Sequence, residues 1–314
     1  MTALEQAAQC LPLRLREAVL RQGAEVEEVH LRAGRPLTVA GSDGREHLVR
    51  SRGKTLLVTG EELRTVLELA TRASFHSAQD KLRGGFLPLR GGHRLGVTGT
   101  ADVRDGSIWS FRSLSSLCLR LAHPVQAVDN TIKGKIFAEG ICHSTLIISP
   151  PGGGKTTLLR ELLRVASDEY ALRCGVADER GELAAMWHGV PQLDVGQHTD
   201  VLDGCPKAQA LSILLRTMSP QLLAMDEITA AEDAAALSEA ANCAVPLFAT
   251  AHAATVEELR RRPLYRKLLE ERIFEQVIRI FREEGRRVYR VELLEDESLK
   301  QASFLQLRSG QVNP

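Results

Sequence analysis

The chain has 314 residues, 44% of them hydrophobic and 25% charged, with 40 basic and 40 acidic side chains in balance. That length holds two ordinary domains, each with its own core, and the composition is that of a soluble globular protein. The balanced charge excludes a global field that would draw the chain to nucleic acid or acidic lipid, although a local basic patch stays open. Six cysteines, Cys10, Cys118, Cys142, Cys174, Cys205 and Cys243, form no C-x-x-C pair and read as reduced thiols of a cytoplasmic protein. Residues 1–20 set Glu5, Arg14, Arg16 and Glu17 among apolar positions, unlike a secretory signal. No run approaches the ~18 consecutive apolar residues of a membrane span. Work at a membrane therefore calls for a partner that holds the chain there.

In chain order, residues 13–22 read as a helix, and Val26, Val29 and Leu31 as a strand running into a Gly34-Arg35-Pro36 turn. Thr59-Gly60-Glu61-Glu62 opens an amphipathic helix to about Ala73, with Leu63, Val66, Leu67 and Ala70 on one face. Within residues 85–97, two short alternating runs flank Gly91-Gly92 and predict a β-hairpin. Residues 117–121 give a further strand, stopped by Pro124. These modest, mixed segments predict a smaller α+β domain over residues 1–125.

Beyond residue 140 short apolar strands alternate with helices, the pattern of a parallel sheet, and residues 126–314 are read as one α/β domain. Strands are expected at residues 146–148, 174–177, 222–225 and 246–250. Helices are expected at residues 155–166 and 232–241. Residues 277–281 and 288–293, flanking Glu283-Glu284-Gly285, read as an antiparallel edge hairpin. Each chemically interesting group falls at the C-terminal end of a predicted strand, where open α/β sheets place their ligands.

The central motif is Ser149-Pro150-Pro151-Gly152-Gly153-Gly154-Lys155-Thr156-Thr157. Here a strand turns sharply into a helix, and glycines allow amide groups to converge on a polyphosphate. The helix N-terminus adds partial positive charge. Pro151, Gly152, Gly153, Gly154, Lys155, Thr156 and Thr157 are the expected phosphate-binding residues, with Lys155 on the β/γ-phosphates and the Thr156 hydroxyl on Mg²⁺. The motif G-x-x-x-x-G-K-[ST] begins with Gly, and here that position is Ser149. A second strand, residues 222–225, ends in Asp226-Glu227: Asp226 is placed behind the metal ion, and Glu227 is the candidate general base. Paired acids favour hydrolysis over passive binding.

Two further groups border the same edge. The run Asp178-Glu179-Arg180-Gly181-Glu182 is either an ion-binding loop or a solvated acidic one. Thr250 and His252 end a strand where a γ-phosphate sensor could sit, although a lone histidine is commonly structural. Arg260-Arg261-Arg262 after Glu257-Glu258 reads as a solvated, charge-balanced helix end.

A wider pattern joins these pieces: residues 26–37, Gly91-Gly92-His93-Arg94, the glycine turn with Thr157-Leu158-Leu159-Arg160, and residues 176–180, 200–207, 216–228 and 249–252. Together they closely resemble the stage III sporulation protein AA family of endospore-forming bacteria, which is similar to the traffic ATPases of type II and type IV secretion. The glycine turn is generic, whereas residues 200–207 and 216–228 are specific. The resemblance implies a P-loop NTPase domain of the RecA-like/AAA kind, with ATP and Mg²⁺ bound. It implies a ring, a hexamer, at the cytoplasmic face of a membrane, energising a secretion-like channel into the forespore through membrane-embedded partners. It also makes Asp178, Glu179 and Glu182 an acidic box, with Glu179 a metal candidate, and His252 a histidine-box residue. Arg94 and Arg120 become arginines brought to the phosphates, against the plain reading of surface charge on strands. Thr229-Ala230 departs from the Gly-rich turn usual after the Asp-Glu-Ile strand. Two other readings stay open: a nucleic-acid-dependent RecA-like ATPase, for which the neutral composition offers no basic groove, and a non-hydrolysing scaffold stabilised by nucleotide.

Overall fold

The computed structural model describes residues 2–23, 25–41, 44–51, 53–71, 85–104, 107–122, 128, 130–283 and 286–294. The expected helix end at Ala73, the strand stop at Pro124, the 125/126 boundary and the Gly285 turn lie outside them. The chain divides into two compact units, one of Met1–Val125 with Ala185–Leu193, the other of Gln126–Ala184 with Asp194–Pro314.

The first unit begins with helices α1 (Ala3–Ala7) and α2 (Leu13–Leu20), followed by strands β1 (Glu28–Arg32), β2 (Thr38–Ala40) and β3 (Glu46–Leu48). A small ladder of β4 (Arg50–Ser51) and β5 (Lys54–Thr55) leads to helix α3 (Gly60–Thr71), then β6 (Phe86–Pro88), β7 (Arg94–Arg104) and β8 (Ser107–Arg120). Strands β3-β2-β1-β8-β7-β6 form an antiparallel sheet. Helix α3 starts where the sequence predicts: Thr59 Oγ1 accepts from Glu62 N at 3.2 Å, and Glu62 Oε2 accepts from Thr59 N at 2.9 Å, a reciprocal cap. Its Leu63, Val66 and Ala70 join Val29, Leu31, Leu95, Leu117 and Leu119 of the sheet in one core.

The hairpin β7–β8 is much longer than the strand at residues 117–121 that alternation suggests. Register shifts after Thr98, Thr100 and Asp102 break the two-residue period, so Leu114 and Leu117, both against the core, stand three residues apart. At the first shift a Cβ on Gly99 would lie 2.0 Å from Ser113 O, so the close approach demands glycine. The segment Ala185–Leu193 packs within this unit: Gln192 Oε1 accepts from Gly91 N at 3.0 Å, and Leu193 fills the space a side chain on Gly92 would need.

The second unit contains α4 (Asn130–Ile136), β9 (Thr145–Ser149), α5 (Lys155–Asp168), β10 (Cys174–Asp178), β11 (Thr199–Asp203), α6 (Lys207–Thr217) and β12 (Leu222–Met225). It continues with α7 (Ala231–Asn242), β13 (Leu247–His252), α8 (Val256–Arg260), α9 (Pro263–Glu270), β14 (Gln276–Glu283) and β15 (Arg286–Leu293). The seven strands lie in the order β11-β10-β12-β13-β9-β14-β15. All neighbours are parallel except β14 and β15. Strands β9, β10 and β12 are buried at every position, which is why they read as continuous apolar runs. Ile147 faces α4 and α5 in one core, while Leu146 and Ile148 face α6–α9 in another, so helices cover both faces. The edge strand β11 and helix α6 escape a reading by apolar pattern: β11 carries Asp200 and Asp203 and is only half-buried throughout.

Candidate functional site

The glycine turn begins on the last residue of β9. Ser149 is fully buried, and its Oγ donates to Pro150 O at 2.8 Å. It does not take a positive φ, so the departure from glycine there brings no backbone strain. It does require a glycine opposite, because a Cβ on Gly153 would come within 2.1 Å of Ser149 Oγ. Gly152 and Gly154 have φ of 73° and 95°, left-handed values that glycine adopts without a steric penalty. Gly154 is the N-cap of the 14-residue helix α5, and no side chain caps it. The first i→i−4 hydrogen bond after Gly154 is Leu158 N to Gly154 O at 3.0 Å. The N–H groups of Lys155, Thr156 and Thr157 thus have no partner within the helix and present its positive end to the turn.

Lys155 is only 6% exposed. Burial pushes its pKa down, opposed by the carboxylates of Glu227 and Asp226. Its Nζ donates to Ser149 O at 3.3 Å and lies 2.8 Å from His252 Nδ1. An ammonium can only donate, so Nδ1 accepts and the ring proton sits on Nε2. That nitrogen is 3.2 Å from Glu227 Oε1. Lys155, His252 and Glu227 therefore form one chain of hydrogen bonds running from the helix start to the acidic strand end.

The second tie is shorter. Thr156 Oγ1 donates to Asp226 Oδ2 at 2.8 Å, while Asp226 Oδ1 accepts from Thr250 Oγ1 at 2.7 Å. The glycine turn and the acid pair thus converge because β9, β13 and β12 are parallel neighbours whose C-terminal ends share one edge. Glu227 has φ 36°, an unfavourable region for a side chain with a Cβ. Contacts on both of its peptide groups hold it there. Its N–H donates to Thr250 Oγ1 at 2.9 Å and Asp226 Oδ1 at 3.1 Å, and its carbonyl accepts from Lys207 Nζ at 2.6 Å.

Lys207 is a site residue that motif reading missed as a role. As the first residue of α6 it places a cation at a helix N-terminus, against the dipole. That mismatch was the available signal. Its compensation is local: Asp233 Oδ2 lies at 3.4 Å and Thr229 Oγ1 at 3.1 Å. Asp233 also accepts from Thr229 N and Ala230 N, replacing with a side-chain cap the Gly-rich turn that Thr229-Ala230 lacks. Tyr265 was missed as well; its hydroxyl donates to Ile228 O at 2.5 Å. Arg262 has the expected acidic partner, with Nη2 paired to Glu258, and adds a contact the sequence did not indicate, Nη1 donating to His252 O at 2.6 Å.

The acidic loop separates into two kinds of residue. Asp178 is buried, and both its carboxylate oxygens are taken by backbone amides, from Glu182 at 2.7 Å, Leu183 at 3.1 Å and Ala184 at 2.8 Å. Burial raises its pKa and those amides oppose the rise. Asp178 folds the turn, with Oδ1 taken by two amides and Oδ2 by one, and it lines the same pocket as Glu179. Glu179 lines one pocket with Glu182, Asp226, Glu227 and Lys207, and its nearest charged partner is Lys207 at 3.9 Å. Arg94 and Arg120 belong to the first unit, directly opposite each other on β7 and β8. Arg94 stacks over Phe86 at 5.2 Å, and Arg120 Nε pairs with Glu28 at 3.0 Å. Among the described residues no helix is long and apolar enough to cross a membrane.

Comparison with known proteins places this geometry. The structure of the Legionella pneumophila ATPase DotB matches with a TM-score of 0.57 at 19% identity, over 88% of this chain and 79% of that one. The pilus retraction motor PilT with bound ADP matches with a TM-score of 0.62 at 16% identity, over 98% and 89%. The shared feature is the P-loop α/β fold of secretion and pilus ATPases. Stage III sporulation protein AA of Bacillus subtilis (strain 168) is 33% identical over 294 residues, covering 90% of this chain and 92% of that protein. The profile of the family described as "Sporulation stage III, protein AA" matches residues 1–296, and the chain belongs to that family.

Proposed function

We propose that the chain is an ATPase, a P-loop motor of the secretion traffic-ATPase type that acts in sporulation by energising a membrane-embedded channel. The observation that carries this reading is the convergence of Thr156, Asp226, Lys155, His252 and Glu227 through contacts of 2.8–3.2 Å at the mouth of one glycine turn. In this reading the uncapped amides of α5 and the Lys155 ammonium bind the β- and γ-phosphates. Several charge-assisted hydrogen bonds of ~1.5–3 kcal/mol each suffice for micromolar affinity. Thr156 and Asp226 supply adjoining oxygen donors of the kind magnesium prefers, and the ion would neutralise phosphate charge there. Glu179 is the weaker metal candidate, since Lys207 is its neutralising neighbour.

Glu227 accepts a proton from the attacking water as the new oxygen–phosphorus bond forms and the bond to the ADP oxygen breaks. The clamped backbone of Glu227 fixes its carboxylate before the reaction, and the His252 Nε2–H orients it. Arg94 and Arg120 are proposed to bring transition-state charge stabilisation within a homo-oligomer, a hexameric ring recruited to the cytoplasmic face of a membrane by channel proteins. Phosphate release from purified, size-fractionated protein tests the reading. Lys155→Ala should lower ATP affinity by at least about a hundredfold, a loss of ~2.7 kcal/mol, and abolish release at micromolar ATP. Equal release by Lys155→Ala and the unmodified chain would overturn the site.

A further inference from the structure

Strand β14 pairs with β9 from Gln276 opposite Thr145 to Arg279 opposite Ile148, then runs on to Glu283 while β9 ends at Ser149. The surplus of β14, paired with the start of β15, carries the hairpin past the end of β9 toward the glycine turn. There Arg282 stands opposite Arg287. A Cβ built on Gly154 would lie 3.0 Å from Arg287 Cζ and 3.1 Å from its Nη1, so this guanidinium rests against the N-cap of α5. Tyr289 and Val291, on the same face of β15 as Arg287, pack against the core that contains Leu158, Leu159 and Leu162 of α5. The arginine is thereby aimed along the helix face of the sheet.

A cation at a helix N-terminus meets the positive end of the dipole. Besides Lys155 of the glycine turn itself, Lys207 and Arg262 are basic residues in such positions, and both are compensated. Lys207 has Asp233 and the Glu227 carbonyl, and Arg262, N-cap of α9, has Glu258 and the His252 carbonyl. Arg287 is exposed, and its side chain has no ion pair or hydrogen bond among the described residues. Its guanidinium and the uncapped helix start together make a local excess of positive charge that suits an anion. Sheet order indicates which anion. Strands β12 and β13, with Asp226, Glu227 and His252, lie on one side of β9, and β14 and β15 lie on the other. A nucleotide whose terminal phosphate faces the acids turns its nucleoside end toward β15.

We propose that Arg287 binds the α-phosphate of the nucleotide from within the same chain, an assignment that rests on the nucleotide reading above. Equilibrium titrations with ADP, ATP and inorganic tripolyphosphate, each with magnesium, on the full chain and on Arg287→Ala and Arg287→Lys test it, with thermal melting to verify folding. Arg287→Ala should weaken all three ligands alike, by about tenfold or more. Arg287→Lys should recover part of that loss, because a point charge replaces the planar fork. Unchanged affinities in Arg287→Ala would overturn the assignment, as would a loss confined to ATP, which marks a γ-phosphate contact. A loss for ADP and ATP with tripolyphosphate unaffected would also overturn it, since that pattern marks a base contact. Failure of the unmodified chain to bind any of the three would remove the nucleotide reading and the assignment with it.

Discussion

The two units deploy charge in opposite ways. In the first, ion pairs lie on the exposed side of an antiparallel sheet and around a helix start: Arg32 with Glu46 at 2.7 Å, Arg120 with Glu28 at 3.0 Å, and Arg14 with Glu62 at 2.7 Å. Its buried polar residues, among the described ones, are Thr38, Thr71 and His93. In the second, five of the nine described buried polar or charged residues, Ser149, Lys155, Asp178, Asp233 and Thr250, sit at or beside the C-terminal ends of parallel strands. The contrast follows from topology. Antiparallel neighbours joined by hairpins close their own strand ends, and charge is left to pair across the faces. Parallel strands need crossovers, so several chain ends with unsatisfied groups arrive together along one edge. Substitutions at the strand ends of the second unit should therefore change chemistry, whereas substitutions in the first that leave Arg94 and Arg120 in place should change only stability.

The largest effect expected from packing alone is at Gly153. Gly153→Ala drives a methyl group into Ser149 Oγ, and overpacking of ~1–3 kcal/mol should appear as a roughly five- to hundredfold loss of nucleotide affinity. Ser149→Gly in the same chain should restore most of it, measured by nucleotide titration of both variants. An unrecovered double variant would mean that the clash is not what limits position 153. Next in size is Lys207→Met, which removes the donor that holds the Glu227 carbonyl. Turnover should fall about tenfold, ~1.4 kcal/mol, while nucleotide affinity stays within about twofold. An equal fall in affinity would show Lys207 to be a ligand contact instead.

The smallest effect is in the first unit. Hydrogen bonds from Arg32, then Thr38, hold the Glu46 carboxyl down at about 2. With the folded-state value below the ordinary one, the pair stabilises the fold fully above the usual glutamate range. The contribution is lost as pH falls from that range through about 2. Because both side chains are more than a third exposed, Glu46→Gln should cost about 0.2–1 kcal/mol at pH 7, less at high salt, and nothing in the most acid range. Denaturant melts across pH measure this, and ATP turnover should not move. A change in turnover would erase the distinction between the units.

Much of the second unit was legible because its strands are buried on both faces and each ends in a distinctive residue. Leu146-Ile147-Ile148 before the glycine turn and Leu222–Met225 before Asp226 announce both their elements and their place at one edge. Three things were not legible. The length of the β7–β8 hairpin was hidden because bulges shift the apolar residues out of period. The role of Asp178 was hidden because an acid that caps a turn and an acid that binds an ion look alike until the amides of Glu182, Leu183 and Ala184 are placed. The clamps on Glu227 and His252 come from Lys207, which closes the specific stretch 200–207 without that stretch naming a role for it, and from Arg262, which belongs to no motif. Their position at helix starts, where cations are disfavoured, was the physical sign of a role.

The central claim is that the acid at the end of β12 acts on water beside the terminal phosphate of a bound nucleotide. Its most direct test is single-turnover phosphate release by Glu227→Gln, measured beside ATP binding on the same preparation. The replacement keeps an oxygen within reach of His252 Nε2–H and removes only the capacity to take a proton. Binding within about twofold of the unmodified chain, with release slowed by about 10²–10⁴, is the predicted result. Release at the unmodified rate would contradict the account.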